Sequence, residues 1–370
     1  MVCQSHTQNK GSCRNPNISM TVKPPSRNAS GSTILSLIDS GGDLWTFPTE
    51  DSPQFERIHG EVEDCKFFVI NEKLCFMAFV TWSGDVYGLG DNREGQLSGG
   101  ACSYHWHASK VGKLKNILQL SLGESFTLAV DSDGVLWGCG DNVFNQLEAA
   151  LPTVYTPKPV FSNYLPPIQL ITAYGKGIVC AIDFENGCWQ WGGSDFNSRP
   201  KRFELPFIAT QVQGSSINTG TLVFVDQNQS LLRARSFSEQ FTPFSNSIKN
   251  PIKVVIRVRN PHALLFTVLC EDGTFWMLDY SPPSSGYWMH LHLKEPVIDL
   301  VGRFFKTSQD TVWAENIKVP KTIPIDSCGC GGQTFWKYQL PFTLPENAKP
   351  KKSARTGDPQ HPENVVQQSS

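Results

Sequence analysis

The sequence predicts an all-β fold: a seven-bladed β-propeller with four-stranded blades and disordered N- and C-terminal tails. Three observations predict it: short apolar runs separated by polar turns, an abundance of aromatic residues and glycines, and one motif that recurs along the chain. The 370 residues include 10 Trp, 30 Gly and 25 Pro. This composition favours short strands and tight turns over long helices.

The recurring motif is an apolar run, a polar turn with Gly or Asn, an apolar–aromatic pair and a glycine-rich loop. Its clearest copies are residues 79–97 (FVTWSGDVYGLGDNREGQL) and 129–147 (AVDSDGVLWGCGDNVFNQL), and residues 181–197 keep the same frame. One marker position follows the turn in each repeat: Trp45, Tyr87, Trp137, Trp189, Leu232, Trp276 and Trp313. The markers recur about every 45 residues, which is the length of a four-stranded propeller blade.

The repeat spacing divides the chain into three parts. Residues 1–32 form a polar tail, residues 33–345 hold about seven repeats, and residues 346–370 form a basic and polar tail. Residues 327–336 resemble the front half of a repeat, and residues 34–45 resemble the back half. We therefore expect the two chain ends to share one blade, which would close the propeller and remove its exposed sheet edges.

The most regular positions of the motif are expected to be structural. Glycines supply backbone conformations with positive φ in turns, and the aromatic residues fit between neighbouring blades. The signature residues are Gly84, Tyr87, Gly90, Asn92, Gly95, Gln96, Gly134, Trp137, Gly140, Asn142, Gln146 and Trp189.

The pattern DGxxWxxGxNxxGQL at residues 83–97 and 133–147 resembles the repeat of the regulator of chromosome condensation (RCC) family. The repeats around Leu232, Trp276 and Trp313 lack its GxNxxGQL part, so the chain resembles a divergent member. The resemblance implies a seven-bladed propeller. It also implies binding functions. The family includes an exchange factor for the GTPase Ran, which also binds nucleosomes, and other members are ubiquitin-ligase modules, scaffolds and enzyme inhibitors.

Two groups of residues have the side chains of metal sites but not a full ligand set. Cys102, His105 and His107 lack a fourth ligand, and His290 and His292 have no Cys or carboxylate beside them. No nucleophile elbow, HExxH motif, Walker loop or dinucleotide-binding motif occurs in the sequence. We therefore predict no catalytic residues, no cofactor and no metal, and the chain is not expected to be an enzyme.

Charge is distributed unevenly although the formal net charge is only −2. The first half of the chain is net acidic, and the second half is net basic. Lys249, Lys253, Arg257 and Arg259 follow one another closely, and the two arginines would point to the same side of a strand. They predict a basic binding face, with ordinary solvated strand charges as the alternative.

Compartment and function follow from these features as hypotheses. The 11 cysteines form no disulfide pattern, and neither a secretory h-region nor a long apolar span occurs. We expect free thiols and a cytoplasmic and/or nuclear monomer without membrane contact. The leading hypothesis is a non-enzymatic scaffold that binds a protein partner through one loop face of the propeller. The alternative is a guanine-nucleotide exchange factor for a Ran- or Rab-like small GTPase. A third is an enzyme using histidines on a loop face, and a nucleosome or DNA is a further candidate partner.

Overall fold

The computed structural model describes segments of the chain that all belong to its unit Gly31–Ser370. The described residues are 36–38, 44–46, 56–57, 65–70, 76–98, 104–148, 150–193, 199–215, 220–245, 247–260, 263–280, 288–291, 296–301, 304–307, 311–315, 326–330 and 333–339. The predicted tails, 1–32 and 346–370, lie outside these residues.

Strands and turns make up the described residues, and no helix occurs among them. The first sheet contains β1 (Ser36–Ile38), β2 (Leu44–Thr46) and β3 (Glu56–Arg57). The second contains β4 (Cys65–Ile70), β5 (Phe76–Thr81), β6 (Val86–Asp91) and β7 (Tyr104–Lys110). The third contains β8 (Ile117–Leu122), β9 (Phe126–Asp131), β10 (Leu136–Asp141) and β11 (Thr153–Pro159). The fourth contains β12 (Ile168–Tyr174), β13 (Ile178–Asp183), β14 (Gly187–Trp191) and β15 (Lys201–Glu204).

The later sheets follow the same antiparallel order up to the last one. The fifth contains β16 (Ala209–Ser215), β17 (Thr221–Asp226), β18 (Leu231–Arg235) and β19 (Thr242–Ser245). The sixth contains β20 (Pro251–Asn260), β21 (Ala263–Cys270), β22 (Phe275–Tyr280) and β23 (Trp288–Leu291). The seventh contains β24 (Val297–Val301), β25 (Phe304–Thr307), β26 (Thr311–Glu315), β28 (Gln333–Gln339) and β27 (Asp326–Cys330), in that spatial order.

The all-β propeller is confirmed, but the predicted count of seven four-stranded blades is wrong. Only five of the sheets in the described part of the chain have four strands, whereas the first has three and the last has five. The irregular sheets are the first and the last along the chain. The spacing of the repeat along the sequence was therefore insufficient to predict the number of strands in these two sheets.

The predicted sharing of one blade by the chain ends is also wrong. β27 and β28 pair with each other across a short turn, from Cys330 opposite Gln333 onward. β28 then pairs with β26, placing Gln339 opposite Thr311, and extends the last sheet. β1 pairs with β2 instead. Strands β1, β27 and β28 thus pair with strands close to them in sequence and not across the two chain ends.

The first strands of successive sheets contact one another, from β4 to β8, β12, β16, β20 and β24. These strands are therefore the inner strands of the propeller. Because neighbouring strands are antiparallel, the turn between second and third strands and the linker to the next sheet lie at one end of a sheet. The turn between first and second strands and the loop between third and fourth lie at the other end, which we call the loop face.

The apolar core lies between neighbouring sheets. One cluster joins the second and third sheets through residues such as Phe76, Val111 and Leu120, with Trp137 packed against it. Equivalent clusters join each pair of sheets up to the sixth. The cysteines whose side chains the structure describes are buried free thiols: Cys65, Cys139, Cys180, Cys188 and Cys270.

Candidate functional site

The Asn and Gln of the repeat signature shape the loop between the third and fourth strands. Asn142 Oδ1 accepts a hydrogen bond from the Leu147 amide at 2.7 Å, and Gln146 Oε1 accepts one from the Phe144 amide at 3.0 Å. Equivalent bonds in the preceding repeat join Asn92 to Leu97 and Gln96 to Glu94. Both glutamines are almost fully buried. These side chains satisfy backbone groups of a tight loop and are not available to a ligand.

The same loops attach each sheet to the next. The Gln96 carbonyl accepts a hydrogen bond from Cys139 Sγ at 3.4 Å, and the Gln146 carbonyl accepts one from Trp191 Nε1 at 3.0 Å. Cys139 and Trp191 occupy the same position in successive repeats, two residues after Trp137 and Trp189 respectively. Burial raises the pKa of the Cys139 thiol to about 12, so it remains a protonated donor.

Other signature residues fix the opposite end of the sheets. Asp131 Oδ2 accepts a hydrogen bond from Trp137 Nε1 at 2.8 Å, and the Gly134 carbonyl accepts one from the Ile168 amide of the next sheet at 2.8 Å. Asp183 and Trp189 repeat the first bond at 2.8 Å, and Tyr87 stacks on Phe79. The signature glycines have positive φ: Gly84, Gly90, Gly95, Gly134 and Gly140.

A β-bulge recurs at the start of every inner strand from β4 to β24. The register against the second strand shifts by one residue around Lys66, Leu118, Gln169, Thr210, Ile252 and Ile298. All but Ile298, whose side chain lies outside the described part, are exposed. A bulge leaves one residue unpaired and re-aims its side chain. The repeat therefore presents one variable residue per sheet at the end opposite the loop face.

Glutamines of neighbouring inner strands hold two of these bulges. Gln119 Nε2 donates to the carbonyl of Gln169, and Gln211 Nε2 donates to the carbonyl of Ile252. The carbonyl of the bulge residue thereby bonds to a side chain of the preceding sheet. The bulges are thus built into the contacts between sheets. We call the end that carries them, together with the adjacent turns and linkers, the bulge face.

Exposed apolar side chains are concentrated on the bulge face. Among the described residues, nine large hydrophobic side chains are exposed. Six of them lie on bulges, second-to-third-strand turns or linkers of this face: Trp82, Leu118, Tyr164, Phe184, Ile208 and Ile252. The other three, Val143, Leu151 and Tyr155, lie on or beside the loop after β10. Clustered exposed apolar residues are typical of protein-binding surfaces.

The four predicted basic residues are spread along β20 and the linker before it. Lys249 is exposed at the bulge face, and Lys253 is half-buried just past the bulge. Arg257 lies opposite Leu265 further along the strand, and Arg259 lies near its other end. At about 3.3 Å per residue, some 30 Å of strand separates the first from the last. The side chains of both arginines lie outside the described part, so the basic face stays a prediction.

A cleft of about 260 Å³ opens on the loop face between the third and fourth sheets. It is lined by Glu124, Ser125, Asp141, Val143, Phe144 and Lys176. Burial raises the pKa of Asp141 above its ordinary value, and the nearby Glu124 charge adds to this rise. Sequence reasoning did not identify this cleft, because its residues come from two repeats.

The histidines considered as ligands have other contacts. Asn92 Nδ2 donates to His105 Nε2 at 2.9 Å, and burial lowers the pKa of His105. His290 lies against Trp276 with ring centroids 4.9 Å apart. Cys102 and His292, and the side chain of His107, lie outside the described part of the chain. Within that part, no three His, Cys, Asp or Glu residues are grouped so as to hold a metal ion.

Comparison with known proteins supports the repeat assignment. Residues 117–146 match the family model "Regulator of chromosome condensation (RCC1) repeat". No curated protein matches the sequence. Among solved structures, Prp20p of Saccharomyces cerevisiae shares 14% identity and a TM-score of 0.55, over 82% of this chain and 80% of that one.

Two further structures resemble the chain. Yeast RCC1 (Prp20) bound by Kap60 gives a TM-score of 0.56 at 14% identity, over 82% of this chain and 78% of that one. Human WBSCR16 gives a TM-score of 0.41 at 15% identity, and the match covers 70% of this chain but only 65% of that one. At these identities the likeness to solved structures concerns the fold alone. The chain thus contains one matched RCC1 repeat, and its propeller fold is similar to that of Prp20p.

Proposed function

We propose that this chain is a non-enzymatic interaction scaffold that binds a protein partner through the bulge face of its propeller. One observation carries the proposal: six of the nine exposed large hydrophobic side chains among the described residues lie on this face. Rigid antiparallel sheets support the bulges and turns that present them. Preorganised side chains of this kind bind with little loss of conformational entropy.

The loop face is the less suitable docking surface in the described repeats. Its Asn and Gln side chains are engaged within the loops and with the next sheet. At two of the bulges, the preceding sheet contacts the backbone carbonyl, which leaves the exposed bulge side chain outside that contact. Substitution at these positions can therefore change binding without unfolding the repeat.

Paired double variants test the proposal. Leu118→Asp with Phe184→Asp alters the bulge face, and Val143→Asp with Leu151→Asp alters the loop face at similarly exposed positions. Proteins retained by immobilised wild-type chain are identified and compared with those retained by each variant. We expect a specific partner that the loop-face variant keeps and the bulge-face variant loses. Retention by both variants, or loss with the loop-face variant alone, contradicts the proposal.

A second candidate is exchange-factor activity toward a Ran- or Rab-like small GTPase. The likeness to Prp20p favours it, because Prp20p has binding properties toward Gsp1p and histones. Such activity requires no acid–base residues, since binding the nucleotide-free GTPase lowers its affinity for nucleotide. Catalytic amounts of the chain should then accelerate release of a labelled guanine nucleotide. An unchanged release rate across a panel of GTPases excludes it. With either function, we propose that the protein is located in the cytoplasm, the nucleus or both.

A further inference from the structure

The junction between the second and third sheets combines apolar and basic side chains on the bulge face. Trp82, in the turn between β5 and β6, is 49% exposed, and Leu118, on the β8 bulge, is 52% exposed. Lys66, the β4 bulge residue, places its Nζ 5.5 Å from the centre of the Trp82 ring. Exposed Lys113 and Lys115 lie on the linker before β8. We call these five residues the junction patch.

Backbone contacts hold the elements of the junction patch together. The Ile117 amide donates to the Gly84 carbonyl at 3.1 Å, which ties the linker to the turn that carries Trp82. A Cβ atom on Gly84 would come within 2.6 Å of Asn116 Cα, so the two backbones are in direct contact. β8 also contacts both β4 and β5. The patch is therefore a continuous surface built from two neighbouring sheets.

The described residues of the junction patch and its surroundings carry a net positive charge. Among the described residues of the turn 81–85, the linker 111–116 and the two bulges, the one carboxylate is Asp85. Asp85 already forms an ion pair with Lys110 at 2.9 Å. Lys66, Lys113 and Lys115 thus remain as positive charge around the exposed indole.

The neighbouring parts of the bulge face have a different charge. Exposed Phe184 in the turn between β13 and β14 is followed by exposed Glu185, and exposed Ile208 lies on the linker before β16. The turns of the third and sixth sheets carry exposed Asp133 and Asp272. Among the described residues of the bulge face, the three lysines are therefore grouped at one junction, carboxylates lie at the neighbouring turns, and Lys249 is a separate positive charge before β20. An extended anionic surface such as a membrane would meet these carboxylates as well, whereas a short segment would not.

We propose that the junction patch binds an acidic protein segment that carries an apolar residue among its carboxylates. The apolar residue contacts Trp82 and Leu118, and the carboxylates lie near the three lysines. Charge complementarity of this kind fixes register and accelerates association. A single-stranded nucleic acid fits less well, because its bases stack on successive aromatic side chains and the described patch has only one. This inference rests on the proposed scaffold function and specifies the chemistry of its partner.

A defined peptide tests the inference directly on the full chain. The probe is fluorescein-labelled Asp-Asp-Glu-Leu-Phe-Glu-Asp-Asp, and binding is followed by fluorescence anisotropy. One control peptide has Asn and Gln in place of Asp and Glu, and another has Ser in place of Leu and Phe. We expect both control peptides to bind about tenfold more weakly than the probe or not at all. Added salt should weaken binding of the probe itself.

Matched variants locate the binding. Lys113→Glu with Lys115→Glu should weaken binding about tenfold or more, whereas Lys176→Glu with Lys201→Glu changes two exposed lysines at the loop-face end of the fourth sheet and should leave it unchanged. Trp82→Ala should weaken binding, and Phe184→Ala, at the equivalent turn position of another sheet, should not. Equal effects of the two charge reversals, or of the two aromatic substitutions, overturn the inference.

Two competitors cover the other anionic partners. A single-stranded oligothymidylate and vesicles of phosphatidylcholine and phosphatidylserine are titrated against the labelled peptide. Binding of either one at a lower concentration than the peptide, with loss in the Lys113 and Lys115 variant, overturns the choice of an acidic segment. If the peptide fails to bind while the bulge-face double variant still loses its partner, the scaffold function stands and the junction patch does not. If the peptide binds and that variant keeps every partner, the scaffold proposal fails instead.

Discussion

The third and fifth sheets show two ways of joining one propeller sheet to the next. The third keeps the repeat signature, and its Gln146 carbonyl accepts the Trp191 indole N–H of the following sheet at 3.0 Å. The fifth keeps the turn aspartate Asp226 but has Leu232 where the third has Trp137, and the Asn and Gln of the loop are absent. The contact between sheets must therefore be made differently there.

Aromatic packing replaces the polar loop in the fifth sheet. The Arg233 guanidinium lies 5.1 Å from the Phe244 ring centre and 5.4 Å from that of Tyr280 in the sixth sheet. Phe244 also contacts Phe266 and Trp288, with ring centroids 4.8 and 5.2 Å apart. Loss of the signature is therefore compensated between the sheets. A degenerate repeat can thus remain a propeller sheet.

The largest effect is expected from Trp191→Ala in the sheet that receives the polar contact. Trp191 is fully buried and packs edge-on against Phe161. Removing its ring should lower the free energy of unfolding by about 3–5 kcal/mol, measured by urea denaturation. Trp191→Phe keeps most of the ring but loses the donor to Gln146, and should cost about 1 kcal/mol plus a packing term. Equal losses in the two variants would show that packing of the ring is not the main contribution.

Phe244→Ala tests the aromatic contact of the fifth sheet. The ring is partly buried and contacts residues of two sheets, so we expect a loss of about 2–4 kcal/mol in the same measurement. Arg233→Ala, which removes only the guanidinium and its stem, should cost about 1–2 kcal/mol. If Phe244→Ala lowers the free energy of unfolding less than Arg233→Ala does, aromatic packing does not compensate for the missing polar loop.

Asn142→Ala is expected to have the smallest effect of the three. It leaves the buried Leu147 amide without its acceptor, which should cost about 1–3 kcal/mol. Asn228→Ala is the control, because this exposed turn residue contributes only its backbone amide, bonded to Asp226. The control should change the unfolding free energy by less than about 0.5 kcal/mol. If Asn142→Ala matches the control, the loop does not depend on its asparagine.

The sequence was sufficient for the features that glycine and hydrogen-bonding side chains determine locally. The turns at Gly84 and Gly134 and the loops at Asn92 and Asn142 require those residue types, so their positions reveal the repeat. The strand count at the chain ends was not predictable. There, pairing of β28 with β26 depends on contacts between strands that are distant from any signature.

The bulges and the bulge face were also missed, for a physical reason. A bulge adds one residue to a strand, which changes the register without changing the spacing of the repeat. Consecutive apolar residues at the strand start, as in Ile117-Leu118, are a signal that could have indicated it, since they break the alternation of a regular strand. Exposure of Leu118 and Ile252, in contrast, depends on how neighbouring inner strands meet.

Hydrogen–deuterium exchange of the chain with its captured partner tests the central claim most directly. The free and bound chains are compared at the turns 81–85 and 183–187, on the bulge face, and at the loops 92–97 and 142–147, on the loop face. The scaffold proposal predicts slower exchange on binding at one or both turns and unchanged exchange at both loops. Protection confined to the loops would contradict docking on the bulge face.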